Sequence, residues 1–160
     1  MSVGFTVDVS ELDGAITIVG QLAEFDAFGL MSAVAALGES QTRRRITSEK
    51  TSPDGAAWLP NLEGTSILQR TGTNLLDSVA HAASATEAAW GASWKHAHVH
   101  QNGATIVPKD ADALFFQIGG KSVRAKRVTI PARPFVGLSE DNKAELRELV
   151  SDFLNLGGLQ

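Results

Sequence analysis

The sequence predicts an α+β fold: a mostly antiparallel sheet packed against a long N-terminal helix and a C-terminal amphipathic helix. Four observations lead there. Leu114, Phe116 and Ile118 alternate with Phe115 and Gln117, the period of a half-buried strand. Gly119-Gly120-Lys121-Ser122 then turns the chain into a second extended run over residues 123–130. Leu146, Leu149, Val150 and Phe153 fall at i, i+3, i+4 and i+7 with Glu and Arg on the other faces, an amphipathic helix that ends near Gly157-Gly158. Finally, residues 12–37 are rich in alanine and large aliphatics at near-helical spacing. Gly14, Gly20 and Gly29 each cost that helix roughly 1 kcal/mol relative to alanine, so a break in it is expected.

The other elements follow in chain order. Val3, Phe5, Val7 and Val9 alternate with Gly4, Thr6 and Asp8 as a strand, and Ser10 is placed to cap a helix from Glu11. The second half of that helix, A-F-G-L-M-S-A-V-A-A-L, is apolar almost all round, which points to a subunit contact. Arg43, Arg44 and Arg45 read as the solvated end of a helix, where cations complement the carbonyl dipole, in preference to a phosphate-binding patch. T-S-P-D-G opens an irregular segment over 51–64 anchored by Trp58, so a long loop is expected near 43–64. Residues 66–78 read as a short helix, a turn at Gly72 and the start of a strand; residues 80–84 and 86–92 read as two modest strands. Gln101-Asn102-Gly103 reads as a turn leading to a short extended piece over 104–108.

Composition narrows the functional classes. At 160 residues the chain is expected to be a single domain spanning 1–160. A net charge of -4 gives no strong general attraction to nucleic acid or anionic membrane. Zero cysteines exclude disulfides, thiolate metal sites and a thiol nucleophile. The N-terminus lacks the pattern of a signal peptide, and no apolar run reaches the roughly 18 residues of a membrane span, so no membrane partner is expected.

Residues able to carry chemistry were weighed in turn. His96, His98 and His100 would share one face of a strand and could there serve a metal, but on a helix they could not converge. No carboxylate follows until Asp110 and no H-E-x-x-H spacing exists, so surface or packing histidines are the favoured reading and no cofactor is expected. No nucleophile elbow accompanies them either. G-G-K-S is not a phosphate loop: Ala113 stands where the earlier glycine is needed, and a strand follows instead of a helix. Lys121, Arg124, Lys126, Arg127 and Arg133 concentrate positive charge without an aromatic stacking platform; a solvated hairpin or ion pairs to a neighbouring subunit is favoured over a nucleic-acid site. In the connector over 124–139, R-A-K-R-V-T-I-P-A-R-P-F-V-G-L-S, Pro131 and Pro134 bracket Ala132-Arg133 and hold the preceding residues away from α. Ser139 is placed to cap the last helix.

The blocks A-A-W-L-P-N-L, L-Q-R-T-G-T-N-L-L-D-S-V, A-H-V-H-Q-N-G and R-V-T-I-P-A-R-P-F-V-G-L-S, in that order across roughly 58–153, resemble the phage virion morphogenesis family. The I-P-A-R-P-F-x-G-L-S block is the most specific part, and His96 and His98 lie outside the pattern. The resemblance implies a structural protein of a tailed bacteriophage or prophage, without a catalytic step. It would be a tail terminator or tail completion protein, assembled in the bacterial host cytoplasm and found in the virion at the neck. Its subunits would form a ring, usually a hexamer, touching the tail tube protein and the head-tail connector proteins. DNA would pass through the lumen without sequence-specific binding, which an acidic chain suits because like charge does not grip a duplex. A head-side stopper or adaptor is the alternative. The expected contact residues are Pro131, Arg133, Pro134 and Phe135 as a rigid segment, Phe28 and Met31 on the apolar helix, and Trp58 in the long loop. For the prolines a purely geometric connector stands beside that reading, and for Trp58 a local core anchor takes precedence.

Overall fold

A long helix, α1 (Ala27–Arg44), is the axis on which the rest is hung. The computed structural model describes Gly20, residues 25–69 and residues 74–156, with side chains through Leu154; the strand expected at residues 3–9, the start of the first helix, Gly72 and the glycines after the last helix lie outside these. Asp26 caps α1 by accepting a 2.7 Å hydrogen bond from the Gly29 amide. The helix does not stop at Leu37. It runs through S-Q-T-R-R to Arg44 and into a π-helical turn, Arg45–Glu49, that ends at Lys50 in the left-handed region (φ 56°). The polar residues there are stitched inward; the Thr42 hydroxyl, for example, donates to the Gly38 carbonyl at 2.9 Å. The apolar girth of α1 is largely met within the chain: one side lies on the hairpin of β1 (Val79–Ala83) and β2 (Ala88–Ala92), another on α3 (Glu140–Leu156). Gly38 is the closest approach, because a Cβ there would overlap the Trp90 ring.

The α+β expectation holds, with the strands divided among three two-stranded antiparallel sheets. β1 pairs with β2 (Val79↔Ala92 to Ala83↔Ala88), β3 (Ala104–Ile106) with β6 (Val128–Ile130), and β4 (Leu114–Ile118) with β5 (Lys121–Ala125). The extended run expected over 123–130 is therefore two strands. It breaks at Lys126-Arg127, where the chain leaves β4 and turns to pair with β3. Residues 74–78 are a series of turns leading into β1, and the described part of 66–73 holds no helix.

α2 (Ala97–Asn102) corrects the turn expected at Gln101-Asn102-Gly103, which is instead the end of a short helix. Gly103 follows it at φ 73°, and a Cβ there would sit 2.8 Å from the Ala132 amide nitrogen and 2.9 Å from the Ile130 carbonyl. The core lies at the C-terminal end of α1: Ile46, Trp58, Leu75, Val79, Ala97 and Phe135, flanked by Trp94 and Val136 among others. α3 starts with a reciprocal cap. Ser139 Oγ accepts from the Asn142 amide (3.2 Å), and Asn142 Oδ1 accepts from the Ser139 amide (3.3 Å).

Candidate assembly surface

The connector over 131–139 contributes Phe135 to the core, and four side chains fix it: Arg45 and Gln101 from distant parts of the chain, its own Arg133, and Asn142 just beyond it. Arg45 is 1 % exposed and sends its guanidinium up from the end of α1. Nη1 donates to the Phe135 and Gly137 carbonyls (3.2 and 2.7 Å) and Nη2 to Asn142 Oδ1 (2.5 Å). Glu49 lies 3.8 Å from its Nε, and burial pulls the Arg45 pKa below its ordinary value. The fork geometry matters, since three acceptors on two segments need a planar group with spread donors. The reading of Arg43–Arg45 as a solvated helix end fails for buried Arg45 but holds for Arg44, which is exposed in the last turn of α1. Arg43 donates to the Leu76 and Val79 carbonyls (3.0 and 2.5 Å), and Arg44 bridges Glu49 and Glu145 (both 2.8 Å). All three arginines are spent on holding the fold.

Gln101 supplies the second brace. Its Oε1 accepts from the Phe135 and Val136 amides (3.0 and 3.1 Å) while Nε2 donates to the Val136 carbonyl (3.0 Å). One side-chain amide thus satisfies the connector as a strand neighbour would. Arg133 is the third: its amide donates to the His100 carbonyl (2.7 Å), and its guanidinium reaches the Leu59 and Pro60 carbonyls (3.0 and 3.2 Å). At 6 % exposure it has no carboxylate partner among the described residues, and burial lowers its pKa. Asn142 is the fourth, joining Arg45 to the cap of α3. Gln41 reinforces that end, donating to the Asn142 carbonyl (3.1 Å) and to Glu145 (2.8 Å).

The expected contact residues now separate by direction. Trp58, Arg133 and Phe135 face inward, where Trp58 and Phe135 belong to the core cluster and Arg133 braces the loop that carries Trp58. Pro131, Pro134 and Met31 are half-buried. Phe28 alone of the seven is well exposed, at 57 %. Sequence reasoning missed Gln41, Arg45, Gln101 and Asn142. None carries a pattern signal, and Gln101 looked like an ordinary turn residue. It also missed the apolar surface at Leu59, Leu62, Ile106, Val107 and Phe115, all exposed. Strand alternation does assign Phe115 to the outward face and was the one available clue.

The histidines do not converge. His96 occupies the N-cap position of α2 without a side-chain capping hydrogen bond, His98 is exposed, and His100 is half-buried, stacked on Trp94 at 5.7 Å. Burial, then the nearby Arg133 and His96 charges, depress the His100 pKa. No group of three or more metal-ligating side chains assembles among the described residues. What the chain offers outward is a firm frame bearing small apolar studs and a basic hairpin.

The family model for phage virion morphogenesis proteins matches residues 7–155. The chain belongs to that family. A relative, Mu-like prophage FluMu G protein 2 of Haemophilus influenzae, is 32 % identical over 87 residues, which cover 54 % of this chain and 56 % of the relative. The matched stretch thus spans about half the length of that protein. No solved structure matches the chain significantly. Within this phage family protein, the connector block that carried the resemblance is the segment fixed by Arg45, Gln101 and Asn142.

Proposed function

We propose that this phage virion morphogenesis protein completes the tail at the head-tail neck, as a terminator that acts by shape and contact. The observation that carries this is the braced connector. A segment held by two hydrogen bonds from Arg45, a third from Arg45 to Asn142 beside it, and three made with Gln101 keeps one geometry in every copy. A closed ring needs that, because an angular error between neighbours is multiplied at each step around the circle. Around this frame, Phe28, Leu62 and Phe115 are exposed and available as apolar contact points. The proposed partners are further copies in a ring of six, the tail tube protein on one side and head-tail connector proteins on the other. DNA passes through the lumen without base-specific contact, and no cofactor or catalytic step is involved. Assembly takes place in the host cytoplasm before the ring enters the virion.

Deletion of the gene, followed by electron microscopy of lysates, tests the reading. The expected result is filled heads beside unjoined or over-long tails, restored by the gene in trans. Normal infectious virions from the deletion would overturn it. Tails of normal length and finish, with heads leaking DNA, would instead assign the protein to a head-side stopper or adaptor.

A further inference from the structure

The β4–β5 hairpin and the groove between α1 and α3 are opposites in charge and shape. Outside its own pairing, the hairpin is tethered at its turn, where Glu63 Oε1 accepts from the Gly119 amide (3.1 Å). Phe115, 75 % exposed, pairs across the ribbon with Arg124, whose guanidinium lies 5.8 Å from the ring centre. Lys121, Arg124, Lys126 and Arg127 have no ion-pair partner among the described residues, and no acidic residue falls within 114–127. Elsewhere, Leu37 of α1 with Leu149 and Phe153 of α3 floors an open groove of about 440 Å³. Its rim is Glu145, Glu148 and Asp152. Glu145 is engaged by Arg44 and Gln41, while Glu148 and Asp152 have no partner among the described residues.

We infer that the basic β4–β5 hairpin of one copy docks in the acid-rimmed α1/α3 groove of the next, with Phe115 seated on Leu149 and Phe153 and Arg124 facing Glu148 and Asp152. The occupant is a second copy because both halves of the complementarity are on this one chain: an exposed aromatic on the hairpin beside unpaired cations, and an apolar floor flanked by the unpaired carboxylates of Glu148 and Asp152. Two different surfaces meeting is a heterologous contact, which propagates and closes only by rotation. The inference rests on the ring reading above and gives that ring its subunit joint. Opposite charge at the rim sets register and speeds encounter, and the buried aromatic supplies the anchor.

The cysteine-free chain makes the test clean. Phe115→Cys and Leu149→Cys are introduced together and treated with a short bis-maleimide. A covalent ladder that ends at the mass of the closed ring is expected. The two single variants mixed should yield dimers only, and each alone should yield no bridge. Glu148→Cys replaces Leu149→Cys if the latter fails to fold by circular dichroism. Charge gives the second arm: Lys121→Glu with Arg124→Glu should abolish rings, and adding Glu148→Lys with Asp152→Lys to the same chain should restore them. Bridging by the Phe115→Cys variant alone would mean a two-fold contact and overturn the inference. So would an unbridged double variant in wild-type-like rings, the result expected if residues 1–24 of the same chain fill the groove. Hairpin retention on DNA with a steep salt slope and no bridging would assign the cations to nucleic acid instead. A wild-type chain that stays monomeric at every concentration would remove the ring itself, a different failure from rings without this joint.

Discussion

The connector, with its brace at Arg45, and the β4–β5 hairpin both place arginine at a decisive point, yet the protein treats the charge in opposite ways. At the connector, Arg45 and Arg133 are buried and their guanidinium hydrogen bonds end on carbonyl or amide oxygens of the same chain. At the hairpin, Arg124 and its neighbours point outward with no carboxylate to meet them among the described residues. Sequence alone shows a single basic stretch over 121–133. The fold splits it into a part that fixes geometry and a part that is presented. Buried guanidinium groups surrounded by acceptors are costly to disturb, whereas solvated cations contribute little to stability and are free for recognition. Substitutions in the two regions should therefore differ in kind.

The largest effect is expected at Arg45. Arg45→Met keeps the bulk of the stem but leaves two connector carbonyls without a donor and Asn142 Oδ1 with only the Ser139 amide, and should cost about 3 kcal/mol or more in urea unfolding. Arg45→Lys should recover only part, since an ammonium cannot span the same acceptors. If Arg45→Met were as stable as wild type, the contrast between the two regions would collapse. Next comes Gln101→Ala, which orphans the Phe135 and Val136 amides and the Val136 carbonyl. A loss of about 2 kcal/mol is expected, with hydrogen exchange accelerated at those two amides before the rest of the molecule. Gly38→Val tests the close approach of α1 to Trp90; overpacking of about 1–3 kcal/mol should appear as a lowered melting temperature with altered tryptophan fluorescence.

Acidity should act on the connector as well. The folded His100 pKa lies below its ordinary value of 6.5, so the unfolded chain binds the proton more readily. The neutral ring's contribution is complete above about 6.5 and is lost as pH falls through the folded pKa. Denaturant midpoints should therefore drop from pH 7 towards pH 5, and His100→Gln should flatten that part of the profile. The carboxylates held low by their partners, Glu39 by His81 and Arg43 and Glu145 by Gln41 and Arg44, would act only in more acidic solution, around the ordinary carboxylate value of 4.5 and below. The smallest effect on stability is expected at the hairpin. Phe115→Ser and Arg124→Gln should each stay within about 0.5 kcal/mol of wild type while weakening self-assembly.

Much of the frame was legible because it follows local rules. Ser139 caps α3 as its position before an amphipathic run suggested, and Phe116 and Ile118 share one strand face as their alternation required. The failures are non-local. Thr42 and Arg45 lie inside because acceptors in α1 and the connector meet them, and no spacing in 41–45 records those acceptors. The strand over 123–130 breaks because β6 finds its partner some two dozen residues upstream, at β3, a pairing that periodicity does not encode. At the candidate surface, the connector block was visible by its resemblance, but its inward direction was not. Arg133 between two prolines looks the same in sequence whether it reaches a neighbour or, as observed, the carbonyls of Leu59 and Pro60.

Those two carbonyl bonds have a consequence for the loop they hold. Residues 50–60 are pinned where the Trp58 amide meets the Lys50 carbonyl, at the Thr51–Ala57 bridge, and again where Arg133 grips Leu59 and Pro60. Asn61 then closes the following turn on itself through Thr65. Leu62, which projects from that turn, is thus set in place before any partner arrives. A stud already ordered forfeits little conformational entropy on docking, so a small apolar area can contribute binding free energy that a loose loop of the same composition would lose to its own freezing.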